Sequence, residues 1–516
     1  MFPLRARSLL LGVTGSVAAF KAAAFASKLT QEGAHVTTLL TREAARFVSP
    51  LLFRALTGRA AYVDDDLWGP EGHILHIDLA RQADALVIMP ATAETLARLA
   101  QGRGEGLIPL AALAMHGKPV IVVPAMDAGM YTHPATQANV ARLREWGVHV
   151  LGPVEGRLAS GLVGPGRMVE PEEVLGFLRW LFSRDGPLAG QHVLVTAGPT
   201  QEPVDPVRVL TNRSSGRQGF ALAQAALDAG ATVTLITGPV HLPTPYGARR
   251  VDVRTAAEMY DAVMDALPEA DMLFKAAAVA DYRPDRVATR KIKKTDATLT
   301  LRLVRTRDIL AAVAQARREM GRPRVVVGFA AESHIDPQSL RAKLHAKGVD
   351  LLAVNDITAR DAGFQVPTNR IRLLYAYGGE ETWPLWPKDE VARQLVMRAL
   401  LVAHGFQVYG WVPRRAWARA IQEGVWHPEA LDANGAIPLA RPDQLPRVLA
   451  QTSRADLLVL ALDARRLPMP LQWHVHEGDY WPTSPAAIPL DAVVRVFTRD
   501  EAERAAPPPR EPGAEW

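Results

Sequence analysis

Short apolar runs alternate with Ala- and Leu-rich stretches along most of the chain, and this alternation predicts parallel strands connected by helices. The pattern is clearest over residues 191–240, which predict a strand at 192–195, a polar loop, a helix at 219–229 and a strand at 233–236. The loop spans roughly twenty residues, longer than an ordinary crossover loop. Its small residues, together with Arg208 and Arg213, suit a phosphate or a carboxylate at a helix start. We therefore expect a binding loop rather than a plain crossover.

The first residues of the chain repeat this order, with predicted strands at 8–11 and 35–40 and a helix at 17–30. Thr14, Gly15 and Ser16 stand at the helix start, where backbone N–H groups suit a phosphate. The glycine spacing and the acidic residue of a dinucleotide site are missing, so a mononucleotide such as FMN fits better than NAD. Strands at 85–89 and 119–123 also end in small or hydroxyl-bearing residues, which favours one shared ligand site. A glycine-rich segment at 160–168 is either a flap over this site or a flexible surface loop.

Turn residues cluster at 183–190 and mark a domain boundary. Beyond it, further strands are predicted at 272–274, 325–329 and 351–354. A basic segment at 290–296 is either a solvated face or a clamp for a triphosphate, and the chain has no P-loop motif. After Gly405 the composition changes. Strand-like runs are predicted there at 456–462 and 492–497, and the last residues look disordered.

Composition narrows the class of protein. A chain of 516 residues is too long for one core and predicts roughly two to four domains. The net charge is +5, but 59 basic and 54 acidic residues are nearly balanced, so basic pockets for small anions explain the charge as well as nucleic acid does. The absence of cysteine excludes disulfides and thiol nucleophiles and favours a cytoplasmic location. No run of 18 apolar residues occurs, so a membrane span is not expected.

Several motifs occur in the order known from one enzyme family. They are GVTGSVAAFK, HIDLARQADALVIMPATAETLARLA, PAMDAGMY and GPGRM in the first half, and TAGPTQEPVDPVR, TNRSSGRQGFALA, AAAVADYRP, KIKK and GFAAES in the second. Residues 7 to about 400 thus resemble the bifunctional coenzyme A biosynthesis family, in which phosphopantothenoylcysteine decarboxylase is joined to phosphopantothenate–cysteine ligase. The implied fold class is α/β, with a flavoprotein-type Rossmann-like domain at 1–185 and a second Rossmann-like α/β ligase domain at 186–403. A small α+β C-terminal domain at 408–500 and a disordered tail at 501–516 complete the expected organisation.

For the ligase half, the resemblance implies that CTP and Mg²⁺ activate the carboxylate of 4′-phosphopantothenate as an acyl-cytidylate, which cysteine then attacks to form an amide. Asn212 is expected to hold the acyl-cytidylate, Arg208 to position the substrate, Lys291 to act in catalysis on CTP, and Asp281 to be the metal ligand. Arg307 stands where the family usually has proline, a modest departure. By motif position, the residues expected to bind CTP are Ala276, Ala277, Asp281, Lys291, Arg307, Asp308, Ile309, Leu310, Phe329, Lys343 and Lys347.

For the decarboxylase half, the resemblance implies that the cysteinyl thiol is oxidised to a thioaldehyde with FMN as the oxidant. Carbon dioxide then leaves, and the reduced flavin returns the electrons. His76, in His-Ile-Asp-Leu, matches the catalytic base of the family. The residues expected to bind the flavin are Gly15, Ser16, Thr41, Thr92 and Thr95.

Two expected catalytic positions depart from the family pattern. Asp127 replaces an asparagine whose amide binds the substrate carboxylate, and an ionised aspartate repels that carboxylate unless it is protonated or a cation intervenes. Ser160 replaces a cysteine that protonates the enethiolate, and a serine hydroxyl is a much weaker acid than a thiol. The final proton therefore comes from water, from another acid or from Asp127.

Residues from about 410 to 500 resemble a small family of unknown function that is distantly related to ADP-ribosyltransferases, through WVPRRAWARAIQEGVW, DLLVLALDARRL and IPLDAVVRVF. A family histidine is replaced by Pro438, so we expect a docking or stabilising role and no transferase activity. The larger family implies a homo-oligomer with trimeric flavin domains and dimeric ligase domains, small-molecule substrates, and no nucleic-acid or membrane partner. Two alternatives are a ligase with a degenerate flavin domain and a flavin-binding regulatory protein.

Overall fold

The structure is a computed structural model. It describes residues 2–69, 74–293, 298–332, 336–358, 361–363, 365–426, 436–452, 457–467, 471–476 and 479–505. The chain divides into two compact units, Phe2–Phe182 and Ser183–Trp516. None of the helices in the described ranges combines the length and the apolar character needed to cross a membrane.

The first unit is built on one parallel sheet covered by helices. Its strands are β1 (Ser8–Val13), β2 (His35–Leu40), β3 (Ala61–Val63), β4 (Ala85–Ala91), β5 (Val120–Pro124), β6 (His149–Val150), β7 (Val154–Arg157) and β8 (Val163–Arg167). Its helices are α1 (Ala19–Gln31), α2 (Ala44–Phe47), α3 (Pro50–Thr57), α4 (Leu75–Gln82), α5 (Ala93–Ala100), α6 (Leu107–Ala114), α7 (Ala128–Thr132), α8 (Pro134–Glu145) and α9 (Pro171–Ser183).

The six strands of this sheet lie in the order β3-β2-β1-β4-β5-β6, and all neighbours are parallel. Every residue of β4 is buried, as expected for a strand covered by helices on both faces. Because the chain leaves β1 in one direction for β2 and returns on the other side for β4, a crevice opens between the carboxyl ends of β1 and β4. Strands β7 and β8 form a separate antiparallel hairpin.

The second unit begins with a larger sheet of the same design. Its strands are β9 (His192–Ala197), β10 (Gln201–Pro203), β11 (Val209–Thr211), β12 (Thr232–Thr237), β13 (Ala248–Asp252), β14 (Met272–Lys275), β15 (Tyr282–Pro284), β16 (Leu303–Arg305), β17 (Val325–Glu332), β18 (Leu351–Asp356), β19 (Thr368–Asn369), β20 (Ile371–Tyr375), β21 (Glu380–Thr382) and β22 (Trp386–Pro387). Its helices are α10 (Arg217–Asp228), α11 (Ala256–Ala266), α12 (Ile309–Met320), α13 (Pro337–Ala346) and α14 (Lys388–Ala403).

Eight of these strands form the sheet β13-β12-β9-β14-β17-β18-β20-β21, which is parallel from β13 to β18 and antiparallel beyond. The strand order reverses at β9, so a second crevice opens between β9 and β14. The long loop predicted after β9 is not wholly irregular, because β10 and β11 form a short antiparallel hairpin within it. Helix α10 begins at Arg217, two residues before the predicted start.

The C-terminal part is a small α+β arrangement. Its elements are β23 (Gln407–Pro413), α15 (Arg414–Glu423), β24 (Val425–Trp426), β25 (Ile437–Pro438), α16 (Leu445–Gln451), β26 (Leu457–Asp463), β27 (Gln472–His476), β28 (Asp479–Ser484), β29 (Ile488–Pro489), β30 (Val493–Thr498) and α17 (Arg499–Ala505). The two strands predicted here correspond to β26 and β30. The prediction of a disordered tail from residue 501 is wrong for residues 501–505, which lie in α17, and residues 506–516 lie outside the described ranges.

Helix α14 joins the ligase sheet to the C-terminal part, and it is buried along most of its length. On one side it packs on α10, where Gln218 donates a hydrogen bond of 3.2 Å to the backbone carbonyl of Lys388. On the other side the Tyr480 hydroxyl lies 2.8 Å from the Glu390 carboxylate, and the buried Arg441 guanidinium lies 3.7 Å from the Met397 sulfur. The C-terminal part is therefore packed against the ligase fold and not merely tethered to it.

Candidate active sites

The crevice of the first unit is closed at its base by hydroxyl groups. Thr14 follows β1 directly, and its hydroxyl donates a hydrogen bond of 2.7 Å to the carbonyl of Pro90 in β4. The same hydroxyl accepts a hydrogen bond of 3.2 Å from the backbone N–H of Thr92. The hydroxyls of Thr92 and Thr95 lie 3.0 Å apart. These contacts fix the ends of β1 and β4 relative to each other.

Three predicted flavin-binding residues accept backbone N–H groups near helix starts around this crevice, and Thr92 is the N-cap residue of α5. The hydroxyls of Ser16, Thr41 and Thr92 accept backbone N–H groups at the starts of α1, α2 and α5, at 3.3, 3.1 and 3.3 Å. A Cβ atom at Gly15 would collide with the side chain of Glu43, so only glycine allows these two loops to approach. Helix starts crowded into one crevice form a concave, N–H-rich cradle that suits a phosphate group.

The β7–β8 hairpin lies over the loop that follows β5. The backbone N–H of Met126 donates a hydrogen bond of 3.1 Å to the carbonyl of Gly166 in β8. Gly166 has a φ of +145°, and a Cβ atom there would collide with the carbonyl of Met126. A Cβ atom at Gly164 would come within 2.9 Å of the Ala128 Cβ. Of the two open interpretations of segment 160–168, a flap over the loop after β5 is therefore the one that the geometry supports.

This packing brings Asp127 and Ser160 together. The Ser160 hydroxyl, in the turn of the flap, donates a hydrogen bond of 2.6 Å to the Asp127 carboxylate. The backbone N–H of Gly129 donates another, of 3.1 Å. The Ser160 hydroxyl and then the Gly129 N–H hold the pKa of Asp127 below its usual range, because both stabilise the ionised form. The two departures from the family pattern are thus in direct contact, and Asp127 is an anion at neutral pH.

His76 lies in the first turn of α4, half-buried. Its Nδ1 atom is buried and has no hydrogen-bond partner among the described residues. In the described ranges no hydrogen bond joins His76 to Asp127 or Ser160, so these three candidates are not brought together by direct contacts. The other end of α4 is held by Lys118, whose ammonium group donates to the carbonyls of Ala80, Arg81 and Ala83 at 2.9, 2.7 and 2.7 Å.

In the second unit, threonine hydroxyls again fix the crevice between β9 and β14. Thr196 Oγ1 accepts the backbone N–H of Ala277 at 3.2 Å, and Thr200 Oγ1 accepts that of Ala280 at 2.9 Å. The Asn212 amide lies across the crevice and donates to the carbonyl of Ala278 at 3.0 Å. Asn212 is exposed, so the predicted holder of the intermediate lies at the mouth of the crevice beside the loop after β14.

Asp205 organises the two basic loops of this crevice, and the sequence analysis did not select it. Its buried carboxylate accepts the backbone N–H groups of Val207, Arg208 and Ile292 at 2.8, 2.8 and 3.1 Å, and the Arg208 guanidinium at 2.7 Å. Burial alone would raise the pKa of Asp205, but these donors outweigh it and lower the pKa to about 2. The carboxylate thereby positions both Arg208 and the exposed Lys291, which adjoins Ile292.

The predicted CTP lysines on and after α13 are paired with carboxylates. Lys343 lies 2.8 Å from Glu332, and Lys347 pairs with Asp308. Asp308 also caps α12 by accepting the backbone N–H of Ala311 at 3.1 Å. Although partial burial opposes ionisation, the hydrogen bond from Lys347 holds the pKa of Asp308 below its usual range. These two lysines are therefore balanced by carboxylates beside the end of β17 and the start of α12.

The remaining predicted CTP residues differ in what their side chains can do. Ile309 and Leu310 are buried in the hydrophobic core, so they can meet a nucleotide only through their backbone. Arg307 pairs with Asp261 at 3.0 Å and stacks on Tyr260, which draws its guanidinium towards α11. The buried Ala277 and its neighbour Ala276 follow β14, and Phe329 lies in β17. The exposed Asp281 carboxylate makes no hydrogen bond or ion pair in the described part of the chain.

Lys275 is a second residue that the sequence analysis missed. It ends β14 at the crevice, and its ammonium group lies 3.4 Å from the carbonyl of Ala277. Burial lowers the pKa of Lys275 to about 8, while the negative charges of Asp281 and Asp308 partly oppose that change. A half-buried lysine with a lowered pKa next to predicted nucleotide contacts is a candidate functional residue.

Two crevices at strand-order reversals, one rich in hydroxyl groups and one rich in lysine and arginine, define a multidomain α/β enzyme that acts on small anionic molecules. Family models match this division: "Flavoprotein" over residues 3–183, "DNA/pantothenate metabolism flavoprotein C-terminal domain" over 188–401, and "Protein of unknown function (DUF952)" over 411–496. The chain belongs to the family of bifunctional coenzyme A biosynthesis proteins.

Membership rests on long alignments. The "Coenzyme A biosynthesis bifunctional protein CoaBC" of Vibrio vulnificus (strain CMCP6) is 42% identical over 400 residues, which cover 77% of this chain and 98% of the relative. The protein of the same name from Bacillus subtilis (strain 168) is 41% identical over 396 residues, 76% of this chain and 96% of the relative. A crystal structure of the C-terminal domain of such a protein covers 42% of this chain and 97% of its own, with 34% identity and a TM-score of 0.36.

Family membership confirms the predicted class, a two-activity enzyme of coenzyme A biosynthesis with a ligase and a decarboxylase on α/β domains. The match to the small family of unknown function confirms the resemblance of the C-terminal part. The roles of individual residues stay predictions. In the described ranges no cluster of three or more histidine, aspartate or glutamate residues is suited to hold a metal.

Proposed function

We propose that the chain joins 4′-phosphopantothenate to cysteine at the expense of CTP and then decarboxylates the product to 4′-phosphopantetheine. The observation that carries this proposal is the presence of two separate sheets, each with a strand-order reversal at which a crevice opens. The cationic crevice suits the phosphates of CTP, and the N–H-rich cradle suits the phosphate of a flavin.

In the ligase crevice, Lys291, Lys343 and Lys347 neutralise the triphosphate while the substrate carboxylate attacks the α-phosphorus and pyrophosphate leaves. Asn212 then holds the acyl-cytidylate. The amine of cysteine attacks the acyl carbon, the carbon–oxygen bond to CMP breaks, and CMP leaves with the electron pair. Mg²⁺ is commonly held by one or two carboxylates together with substrate phosphates, so the unpartnered Asp281 is a suitable single protein ligand.

In the decarboxylase crevice, FMN when bound supplies the oxidation of the cysteinyl thiol and the later return of electrons. The crowded Gly15 loop and the hydroxyl groups beside the starts of α1 and α2 support its phosphate being held there. His76 accepts a proton from the substrate, and its buried, unpartnered Nδ1 leaves the ring without a bond that would fix its tautomer. Val17 and Phe20 are 60% and 62% exposed at the start of α1, which supports the proposal that another subunit covers this crevice in a homo-oligomer.

The Asp127–Ser160 pair bears on the decarboxylase step. Because Asp127 is held as an anion by the Ser160 hydroxyl, it is a poor source of the final proton and repels a substrate carboxylate. We therefore assign the final proton to water and the Asp127 anion to holding the flap. The same observation favours a second candidate function, a ligase whose flavin domain no longer decarboxylates.

A mass-resolved product assay separates these two functions. The purified full chain is given 4′-phosphopantothenate, cysteine, CTP and Mg²⁺, and both CMP and 4′-phosphopantetheine are expected. Accumulation of 4′-phosphopantothenoylcysteine with CMP would leave only the ligase, and absence of CMP would refute the ligase assignment.

A His76→Asn variant then tests the base. It is expected to keep CMP formation and to lose carbon dioxide release. His116→Asn, at an exposed histidine of the same domain, is the matched control. Carbon dioxide release at the parent rate in His76→Asn would show that another group is the base.

A further inference from the structure

A cavity of about 340 Å³ lies at the carboxyl ends of β12 and β13, to one side of the ligase crevice. Pro239, Val240 and Val253 give it apolar walls. Its polar lining consists of Gln201, His241, Arg250, Asp252 and Arg254. Apolar walls with a few convergent polar groups are typical of sites for small molecules.

The charges around this cavity leave a cation without a partner. Arg250 is already engaged, because its guanidinium lies 2.8 Å from the Asp252 carboxylate and 3.1 Å from the carbonyl of Leu242. The side chains of Arg254 and His241 have no hydrogen-bond or ion-pair partner among the described residues, and both are exposed. A guanidinium at a partly apolar cavity is suited to bind a carboxylate through two parallel hydrogen bonds.

The backbone of Arg254 is held although its side chain is free. Its N–H donates a hydrogen bond of 2.7 Å to the Glu258 carboxylate, and its carbonyl accepts one of 2.7 Å from the N–H of Gln201. The guanidinium therefore extends from a fixed point at the cavity wall. A fixed starting point lowers the entropy lost when the side chain is ordered by a ligand.

The cavity adjoins the place where the acyl group is expected. Gln201 lines the cavity and pairs with Thr211 across the β10–β11 hairpin, and Asn212 follows Thr211 directly. Val240 forms another wall and packs against the backbone of Gly216 at the start of α10. Two of the three predicted CTP lysines, Lys343 and Lys347, lie on the opposite side of β9, beyond β14 and β17. A ligand in the cavity therefore approaches the acyl carbon from the side away from these two lysines.

Of the three ligase substrates, cysteine is the one to which no residue has been assigned above. It carries a carboxylate that needs a cation, a short side chain that suits apolar walls, and an amine that must reach the acyl carbon. We propose that this cavity binds cysteine, with the Arg254 guanidinium on the cysteine carboxylate. This inference rests on the proposed ligase function. In the proposed site, Arg254 binds the substrate cysteine and takes no part in the chemical step.

Replacing Arg254 tests the assignment by separating the two half-reactions. In Arg254→Gln, the KM for cysteine is expected to rise roughly tenfold or more, because a charge-assisted contact is lost. The KM for CTP and the rate of CTP–pyrophosphate exchange, measured with 4′-phosphopantothenate and without cysteine, are expected to match the parent. Unchanged exchange also shows that the variant is folded. Arg254→Lys should recover part of the affinity for cysteine.

Arg249→Gln is the matched control, because Arg249 is an exposed arginine of β13 that does not line the cavity. Its KM for cysteine should equal that of the parent. An unchanged KM for cysteine in Arg254→Gln would overturn the proposal. A raised KM for 4′-phosphopantothenate in Arg254→Gln, with the KM for cysteine unchanged, would also overturn it, because the cavity would then bind a phosphate.

Absence of CTP–pyrophosphate exchange in the parent protein would count against the ligase function itself and not against the cavity. In that case, calorimetric titration of cysteine into the full chain tests whether the cavity binds cysteine. Binding to the parent that is lost in Arg254→Gln supports the carboxylate site. Equal binding to both proteins, or binding to neither, overturns it.

Discussion

The most informative perturbation of the ligase crevice is Lys275→Met. Lys275 ends the central strand β14, and its side chain is half-buried, with only a long contact of 3.4 Å from its ammonium group to the carbonyl of Ala277. Methionine has a similar length, no charge and a flexible shape that fills the space left by the lysine stem. The substitution therefore removes a buried charge while leaving little empty volume.

The magnitude follows from the pKa of Lys275. Burial lowers it from 10.5 to about 8, and that difference corresponds to about 3 kcal/mol. Below pH 8 the ammonium is protonated in both the folded and the unfolded chain, so the full cost of burying it is present. Between pH 8 and 10.5 the unfolded chain binds more protons than the folded one, so the stability of the parent rises with pH. Lys275→Met should thus be more stable than the parent at pH 7 by about 3 kcal/mol, and the gain should shrink above pH 8.

Hydrogen exchange of the β14 amides, followed by mass spectrometry at pH 7 and again near pH 9.5, measures this difference within the ligase domain. A charge that lowers the stability of the parent is expected to serve the reaction. We therefore also expect Lys275→Met to lose CTP–pyrophosphate exchange. A variant that is less stable at pH 7, or whose gain is the same at both pH values, would refute the reasoning about burial.

Three further predictions concern other parts of the chain. Ser160→Ala removes a donor to Asp127, so the Asp127 pKa should rise and the pH profile of carbon dioxide release should shift upwards, while CTP–pyrophosphate exchange stays at the parent rate. A profile identical to that of the parent would contradict this. Lys118→Met removes three hydrogen bonds from the end of α4 and should destabilise the flavin domain by about 2 kcal/mol in urea unfolding, and no loss would mean that water replaces the ammonium. Tyr480→Phe removes a hydrogen bond to a carboxylate of α14 and should cost about 1–2 kcal/mol. Tyr409→Phe, which loses a hydroxyl with no hydrogen bond in the described ranges, should cost less.

The sequence predicted the sheets well because their signal is local. Each central strand is an apolar run next to an Ala- and Leu-rich helix, and such a pattern needs no knowledge of distant residues. The β10–β11 hairpin was missed because its strands have only three residues each, too few for a recognisable alternation. In the C-terminal part, β23, β27 and β28 were missed because they mix aromatic, polar and proline residues and form no continuous apolar run.

The site was predicted less completely because its contacts are not local. Asp205 acts through Ile292, which is 87 residues away, and no spacing within the motif indicates this partner. An Asp-Pro pair in a long loop was the available signal. Asp127 and Ser160 were each selected, but their hydrogen bond depends on how the flap folds back across 33 residues. Lys275 was overlooked because the pKa of a lysine depends on burial, which one apolar strand does not reveal.

Helix α14 has a consequence for the way the chain folds as it is synthesised. Its outer face is covered by the C-terminal part, including Tyr480 and Arg441, which leave the ribosome after the helix itself. At a translation rate of about 5–20 residues per second, the C-terminal part is synthesised roughly five to twenty seconds after α14. During that interval the Glu390 and Met397 side chains have no partner from the C-terminal part, and the ligase domain is open to chaperones or to association with other chains. A stop codon placed just after α14 should therefore yield a ligase domain that aggregates, although every residue of its crevice is present.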